Sequence, residues 1–336
     1  MSSNDQTPVV REAAEPLLDV DHLRVRYHSD ARTIMGADDV SFSIAPHESF
    51  GLAGESGCGK STIANAIMRL LKPPAEVAGG SITFAGTDVL GLEGEELRDF
   101  RWTRIAMVFQ SAMNALNPVM TIGDQIVDAF TAHGRLHHKA AMERAGELLE
   151  LVGIPADRLR SYPHQLSGGM RQRVVISIAL ALDPELLILD EPTTALDVVV
   201  QQEIMQQIRG LQDRFGFSVL FITHDISLMV EMSDRMAVMY NGRIVEMAES
   251  SQVFADPLHP YTRALMNSFP PLTGERRRLT GLADAQTVAA HGDAKSRLGF
   301  DPTDIPDLSE VRPGRWIADP NRTRPAASVD EEGGAR

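Results

Sequence analysis

Eight consecutive residues, Gly54-Glu55-Ser56-Gly57-Cys58-Gly59-Lys60-Ser61, fit the pattern GxxxxGK[ST]. Glycines at these positions let the backbone turn its N–H groups inward onto phosphate oxygens. The helix that follows adds partial positive charge at its N-terminus. In a loop of this kind Lys60 reaches the terminal phosphates and Ser61 ligates Mg²⁺, with Thr62 next on the helix. Further on, Leu186-Leu187-Ile188-Leu189-Asp190-Glu191 is an apolar run that ends in two carboxylates. Asp190 is placed to hold Mg²⁺ through water, and Glu191 to take a proton from an attacking water as general base. Alone, such a run reads as a strand with a solvated acidic end; the phosphate loop upstream reverses that reading.

A second anion-binding helix start is written into Leu166-Ser167-Gly168-Gly169-Met170. Alone, Ser167-Gly168-Gly169 is an ordinary helix cap. One nucleotide does not need two cradles within one chain. A head-to-tail dimer does, because each site then takes one cradle from each partner.

These residues need elements to hold them. Ser49 to Ala53 reads as a short strand entering the glycine-rich turn, and Ser61 to Leu71 as the helix leaving it, closed by Pro73-Pro74. Leu23, Val25 and Tyr27 alternate with polar residues, as do Val40, Phe42 and Ile44, which predicts two half-buried strands. Ser81 to Phe84 and Ile105 to Phe109 read as further strands. Leu186 to Leu189 and Val219 to Ile222 are unbroken apolar runs of the kind buried on both faces of a parallel sheet. Arg235 to Tyr240 and Arg243 to Met247 flank Asn241-Gly242, a hairpin signal. Between about Ser111 and Leu166 the texture is helical, with Lys139 to Val152 as its clearest segment, and Arg171 to Leu182 reads as a further helix. Past about Ala255, a segment rich in Pro, Arg and small residues predicts an extension with a weak core of its own. Met1 to Pro16 and Ala326 to Arg336 read as solvated tails.

The 336 residues carry 46 acidic against 32 basic side chains, a net charge of −14. A chain this acidic is a poor candidate for wrapping nucleic acid. Its one cysteine, Cys58, excludes a disulfide scaffold and a cysteine-rich metal site. The longest apolar run, Val174 to Leu182, is far short of the ~20 residues a spanning helix needs. A membrane task for this chain would therefore require another chain to form the membrane part.

With these motifs in order, the stretch from about Leu17 to Ala255 resembles the nucleotide-binding subunit of an ATP-binding cassette (ABC) transporter. The resemblance implies an α/β fold: a RecA-like P-loop NTPase core, an antiparallel β subdomain and a helical insertion at about 111–166, with a small C-terminal extension at 256–336. It implies ATP and Mg²⁺ as ligands. Gln110 resembles the Q-loop glutamine, Ala195-Leu196-Asp197 the D-loop, and His224 the switch histidine that contacts the γ-phosphate. Tyr27 is in place to stack on adenine. Two subunits would sandwich two ATP molecules. Lys60, Ser61, Gln110, Asp190, Glu191 and His224 would act on one nucleotide, and Ser167 and Gly169 on the partner's. The implied partners are permease subunits at the cytoplasmic face of the membrane, a second ATPase subunit and, indirectly, an extracytoplasmic binding protein; nucleic acid is not among them.

The segment Asp256-Pro257-Leu258-His259-Pro260-Tyr261-Thr262-Arg263-Ala264-Leu265 is similar to the one that follows the ATPase core in importers of the oligopeptide, dipeptide and nickel type. So are Gly54-Glu55-Ser56 and Asn114-Ala115-Leu116-Asn117-Pro118. Many such relatives continue into a cysteine cluster that can hold an iron–sulfur centre. No cysteine follows Cys58 here, so no cluster is expected. The alternative within the superfamily, a soluble ATPase acting on DNA or ribosomes, usually brings coiled-coil insertions, zinc cysteines or two cassettes in one chain. None of these is in the sequence.

Overall fold

The computed structural model describes residues 15–28, 33–110, 115–193, 196–267, 300–301 and 304–319. Residues 1–14 of the N-terminal tail, the C-terminal tail, Asn114, Ala195 and residues 268–299 of the extension lie outside them.

The strands, in chain order, are β1 (Leu18–His28), β2 (Thr33–Ile44), β3 (Ser49–Ala53), β4 (Ala75–Phe84), β5 (Thr87–Asp88) and β6 (Ile105–Val108). After the helical stretch come β7 (Leu186–Asp190), β8 (Ser218–Ile222), β9 (Arg235–Tyr240), β10 (Arg243–Glu249), β11 (Ser309–Arg312) and β12 (Arg315–Ile317). The helices are α1 (Lys60–Ile67), α2 (Gly94–Thr103), α3 (Ile122–Ala132), α4 (His138–Leu151), α5 (Gly168–Ala179), α6 (Val198–Phe215), α7 (Ile226–Met232), α8 (Ser250–Ala255) and α9 (Pro260–Asn267).

Two sheets form. One is antiparallel, in the order β2-β1-β4-β5; the other runs β11-β12-β10-β9-β3-β8-β7-β6. Within the larger sheet β9, β3, β8, β7 and β6 are parallel. Every residue of β3, β7 and β8 is buried, as a strand covered on both faces must be. Alternate residues feed two cores. Leu187, Leu189, Val219 and Phe221 join Val174, Ile176 and Ile208 of α5 and α6. Leu186, Ile188, Leu220 and Ile222 join Ile63 of α1 and Phe42 and Phe84 of the antiparallel sheet.

The carboxyl ends of parallel strands are where α/β sheets bind ligands. Here β3 runs into the glycine-rich loop, β7 ends on Asp190, β8 leads to His224 and β6 leads to Gln110. The described part of the helical stretch, 115–166, contains α3, α4 and two short 3₁₀ turns and no strand.

Three elements differ from the sequence reading. Helix α1 ends at Ile67 rather than Leu71, because Arg69 takes a left-handed conformation (φ 55) and breaks the helical repeat. Strand β4 begins at Ala75, six residues before Ser81, since Gly79-Gly80 bend the strand without ending its pairing to β1. The extension, in its described residues, packs on the cassette rather than on a core of its own. Its β11–β12 hairpin, turning at Pro313-Gly314, adds to the large sheet through β10, and Phe300, Ile305 and Ala318 are buried in the main core.

Candidate nucleotide site

The glycine-rich loop follows β3 and opens α1. Gly59 is the residue before the helix, at φ 114, and a Cβ there would lie 2.0 Å from the carbonyl oxygen of Gly36. Gly54, at φ 147, would put a Cβ 2.5 Å from the Met239 carbonyl. Only glycine fits either place. Lys60 is buried, 5% exposed, and its ammonium donates to the carbonyl oxygens of Gly54 at 2.7 Å and Glu55 at 2.8 Å. A buried ammonium needs such partners, and these carbonyls hold it beside the loop.

Ser56, Gly57, Gly59, Lys60, Ser61 and Thr62 line one open cleft together with Tyr27, Gly36, Gln110 and Glu191. The Tyr27 hydroxyl hydrogen-bonds Thr62 Oγ1 at 2.9 Å, so the ring sits over the start of α1. Gly36 leaves room for that ring: a Cβ there would meet Tyr27 Cε2 at 2.5 Å. Gly54, Glu55 and Cys58 belong to the same loop but do not line the cleft. The Cys58 side chain packs inward, 8% exposed, with Lys60 Nζ 3.6 Å from its sulfur. Burial raises its thiol pKa, with Lys60 opposing, so it is a poor nucleophile.

At the end of β7 the two carboxylates have different surroundings. Asp190 is 5% exposed, and burial raises its pKa, opposed by a hydrogen bond with Ser61. Its Oδ1 is buried without a hydrogen-bond partner. A buried carboxylate oxygen left open beside a serine hydroxyl fits a divalent cation, which supplies the missing positive charge.

Glu191 turns the chain sharply at φ 47, with its N–H donating to the Ile222 carbonyl at 2.8 Å. A left-handed glutamate is costly and marks a side chain aimed for a purpose. Its carboxylate receives Gln110 Nε2 at 2.7 Å and lies 3.4 Å from His224 Nδ1. Thus strands β6, β7 and β8 deliver Gln110, Glu191 and His224 to one carboxylate-centred cluster.

The other predicted residues are not among those lining this cleft. Ser167 caps α5, accepting from Met170 N at 3.3 Å, and Asp197 caps α6, accepting from Val200 N at 3.0 Å. Gly168 and Gly169 form the first turn of α5, and a Cβ on Gly169 would meet Val200 Cγ1 at 2.7 Å. One residue touching the loop escaped the sequence reading. Tyr261, from α9, accepts a hydrogen bond from Glu55 N at 3.2 Å. The HPYT segment was the only pointer to it, and nothing local tied that segment to the loop.

Comparison with known proteins places this geometry. Residues 37–194 match the family described as ABC transporter, and residues 245–295 match the oligopeptide/dipeptide transporter C-terminal region. A Sinorhizobium fredii protein, "Probable peptide ABC transporter ATP-binding protein y4tR", is 49% identical over 317 residues, spanning 91% of this chain and 95% of that one. The chain belongs to the ABC ATPase family. The Bacillus subtilis "Dipeptide transport ATP-binding protein DppD" is 43% identical, covering 79% of this chain and 80% of its own. Among solved structures, a dimeric post-hydrolysis state of the ATP-binding cassette MJ0796 bound to ADP and Pi superimposes with a TM-score of 0.62 at 28% identity. That match covers 69% of this chain and 98% of the other. As an ABC ATPase, the chain binds and hydrolyses ATP on a P-loop core. No described helix is long and apolar enough to cross a membrane.

Proposed function

We propose that this ATPase powers a peptide importer by closing head to tail with a second ATPase subunit on two ATP molecules. The observation that carries the catalytic half is the Glu191 cluster. Gln110 and His224 converge on a carboxylate whose backbone is forced into position, beside the loop that holds Lys60. The oligopeptide/dipeptide C-terminal match and the peptide-transport names of the relatives support the import half.

The residues divide by role. The loop N–H groups and Lys60 bind the phosphates and offset their charge, and Tyr27 stacks on the adenine. Glu191 accepts the proton of the attacking water, oriented by Gln110 and His224. Ser61, Asp190 and Gln110 would hold Mg²⁺, which supplies charge stabilisation to the phosphates when bound. In the closed dimer Ser167, Gly168 and Gly169 present the α5 N-terminus to the partner's nucleotide, with Asp197 alongside. Two exposed patches support these contacts. Val198 and Val199 follow Asp197 at 71% and 65% exposure, on the face offered to a second ATPase. Phe109 and Val119, exposed on either side of the Gln110 segment, are apolar and suit a helix from the permease. The chain then works at the cytoplasmic face of the membrane, held there by the permease.

Affinity capture of the full chain from its own membranes tests the import reading. Two multispanning permease chains and a second ATPase are expected to copurify, with ATPase activity stimulated by a peptide-loaded binding protein. Copurification with ribosomes or DNA and no membrane chain would overturn it.

A further inference from the structure

The peptide unit joining Gly54 to Glu55 is held at both ends. Its carbonyl oxygen, on Gly54, accepts from Lys60 Nζ at 2.7 Å, and its N–H, on Glu55, donates to the Tyr261 hydroxyl at 3.2 Å. Tyr261 comes from the C-terminal extension, 206 residues away in sequence, and is 1% exposed. Its ring has little freedom. It packs on Tyr240 at 4.6 Å between centroids, and Tyr240 meets Phe300 edge-on at 5.4 Å. Phe300 also meets His259, whose Nδ1 accepts the Tyr261 N–H at 3.1 Å. The turn before α9 is fixed in turn by Glu246, which accepts from Leu258 N and His259 N, both at 2.9 Å. Burial raises the Tyr261 pKa, so the phenol stays protonated.

We infer that Tyr261 is a positioning residue for the phosphate loop: its hydroxyl fixes the Gly54–Glu55 peptide plane, and the C-terminal extension thereby sets nucleotide affinity. The inference rests on the nucleotide-site reading above. Lys60 holds the carbonyl side of this peptide plane and Tyr261 holds its N–H side. Without the Tyr261 hydrogen bond the N–H side is ordered only as the nucleotide binds, and ordering on binding weakens affinity. Linkage makes the effect reciprocal: bound nucleotide tightens the docking of α9 by the same factor.

Calorimetric titration of the full chain with Mg-ADP tests this, comparing Tyr261→Phe with the parent and with Lys60→Ala. Phenylalanine keeps the ring packing and removes the hydroxyl. The Kd is expected to rise about three- to ten-fold, the worth of one ordinary hydrogen bond, with the loss in ATP turnover falling on KM rather than kcat. The melting midpoint of the nucleotide-free protein should fall slightly, since the bond is made there too, and the upward shift produced by nucleotide should shrink as well. An unchanged Kd in Tyr261→Phe beside lost binding in Lys60→Ala overturns the positioning role and leaves the nucleotide site standing. A lowered nucleotide-free midpoint with the nucleotide-induced shift as large as the parent's assigns Tyr261 to core packing alone and overturns it as well. Nucleotide binding retained in Lys60→Ala overturns the site reading itself.

Discussion

Glu191 carries the sharpest residue-scale consequence. It sits at φ 47 with its carboxylate bridged by Gln110 and close to His224, and its side chain is 13% exposed. Glu191→Gln keeps the size and the polar contacts and removes the proton acceptor. Steady-state ATPase assays should show turnover falling by about 10²–10⁴-fold. ATP binding should persist, and ATP should drive the chain into a stable dimer, visible by gel filtration. Turnover near the parent's would take the base role away from Glu191. The identity of this carboxylate was readable from the apolar run before it and the phosphate loop upstream. Its left-handed backbone was not, because a strained φ comes from the hydrogen bond to Ile222 on a neighbouring strand, and no local propensity announces it. The same division holds for Asp190. Its place at the strand end was readable; its orphaned Oδ1 depends on burial by distant residues.

At the scale of elements, His259 shows a helix cap serving as a pH sensor for stability. It precedes Pro260 at the start of α9, and its Nδ1 caps the Tyr261 N–H. The side chain is fully buried with Nε2 unpartnered, and burial pulls its pKa from 6.5 down to about 4. The folded state therefore binds this proton more weakly than the unfolded chain. Its stabilising contribution is complete above pH 6.5 and is lost as pH falls towards 4, an upper bound of about 3 kcal/mol. His259→Asn keeps an acceptor for the Tyr261 N–H and removes the titration. Urea unfolding from pH 7 to pH 4 should show a shallower acid loss in the variant. Parallel curves for the two proteins would exclude His259 as the source. The HPYT segment is both part of the region similar to the importers' and the cap of α9. Helix α1 was harder, because Arg69 ends it by a backbone conformation that its residue type does not favour.

For the whole molecule, long-range pairing decides what the extension does. Composition and Pro content past Ala255 suggested a loosely packed appendage. Strand β12 instead pairs with β10 across some seventy residues, and such non-local contacts leave no periodic trace in the sequence. The junction is electrostatic as well as apolar. Arg315, 4% exposed, lies 3.4 Å from the Glu246 carboxylate and 3.4 Å from that of Asp256, and it also donates to the Asp256 carbonyl. Glu246 is fully buried and anchors the turn that presents His259 and Tyr261. In a chain of net charge −14, a buried glutamate without its arginine is doubly unfavourable. Arg315→Met should destabilise the fold by about 3–5 kcal/mol, because it strands the Glu246 charge rather than merely deleting a contact. Glu246→Gln in the same protein removes that charge. The double variant should then be more stable than the sum of the two single losses predicts, measured by denaturant unfolding. Strict additivity would mean that the pair is not coupled, and that the β10–β12 pairing and the apolar packing of Phe300, Ile305 and Ala318 hold the extension without it.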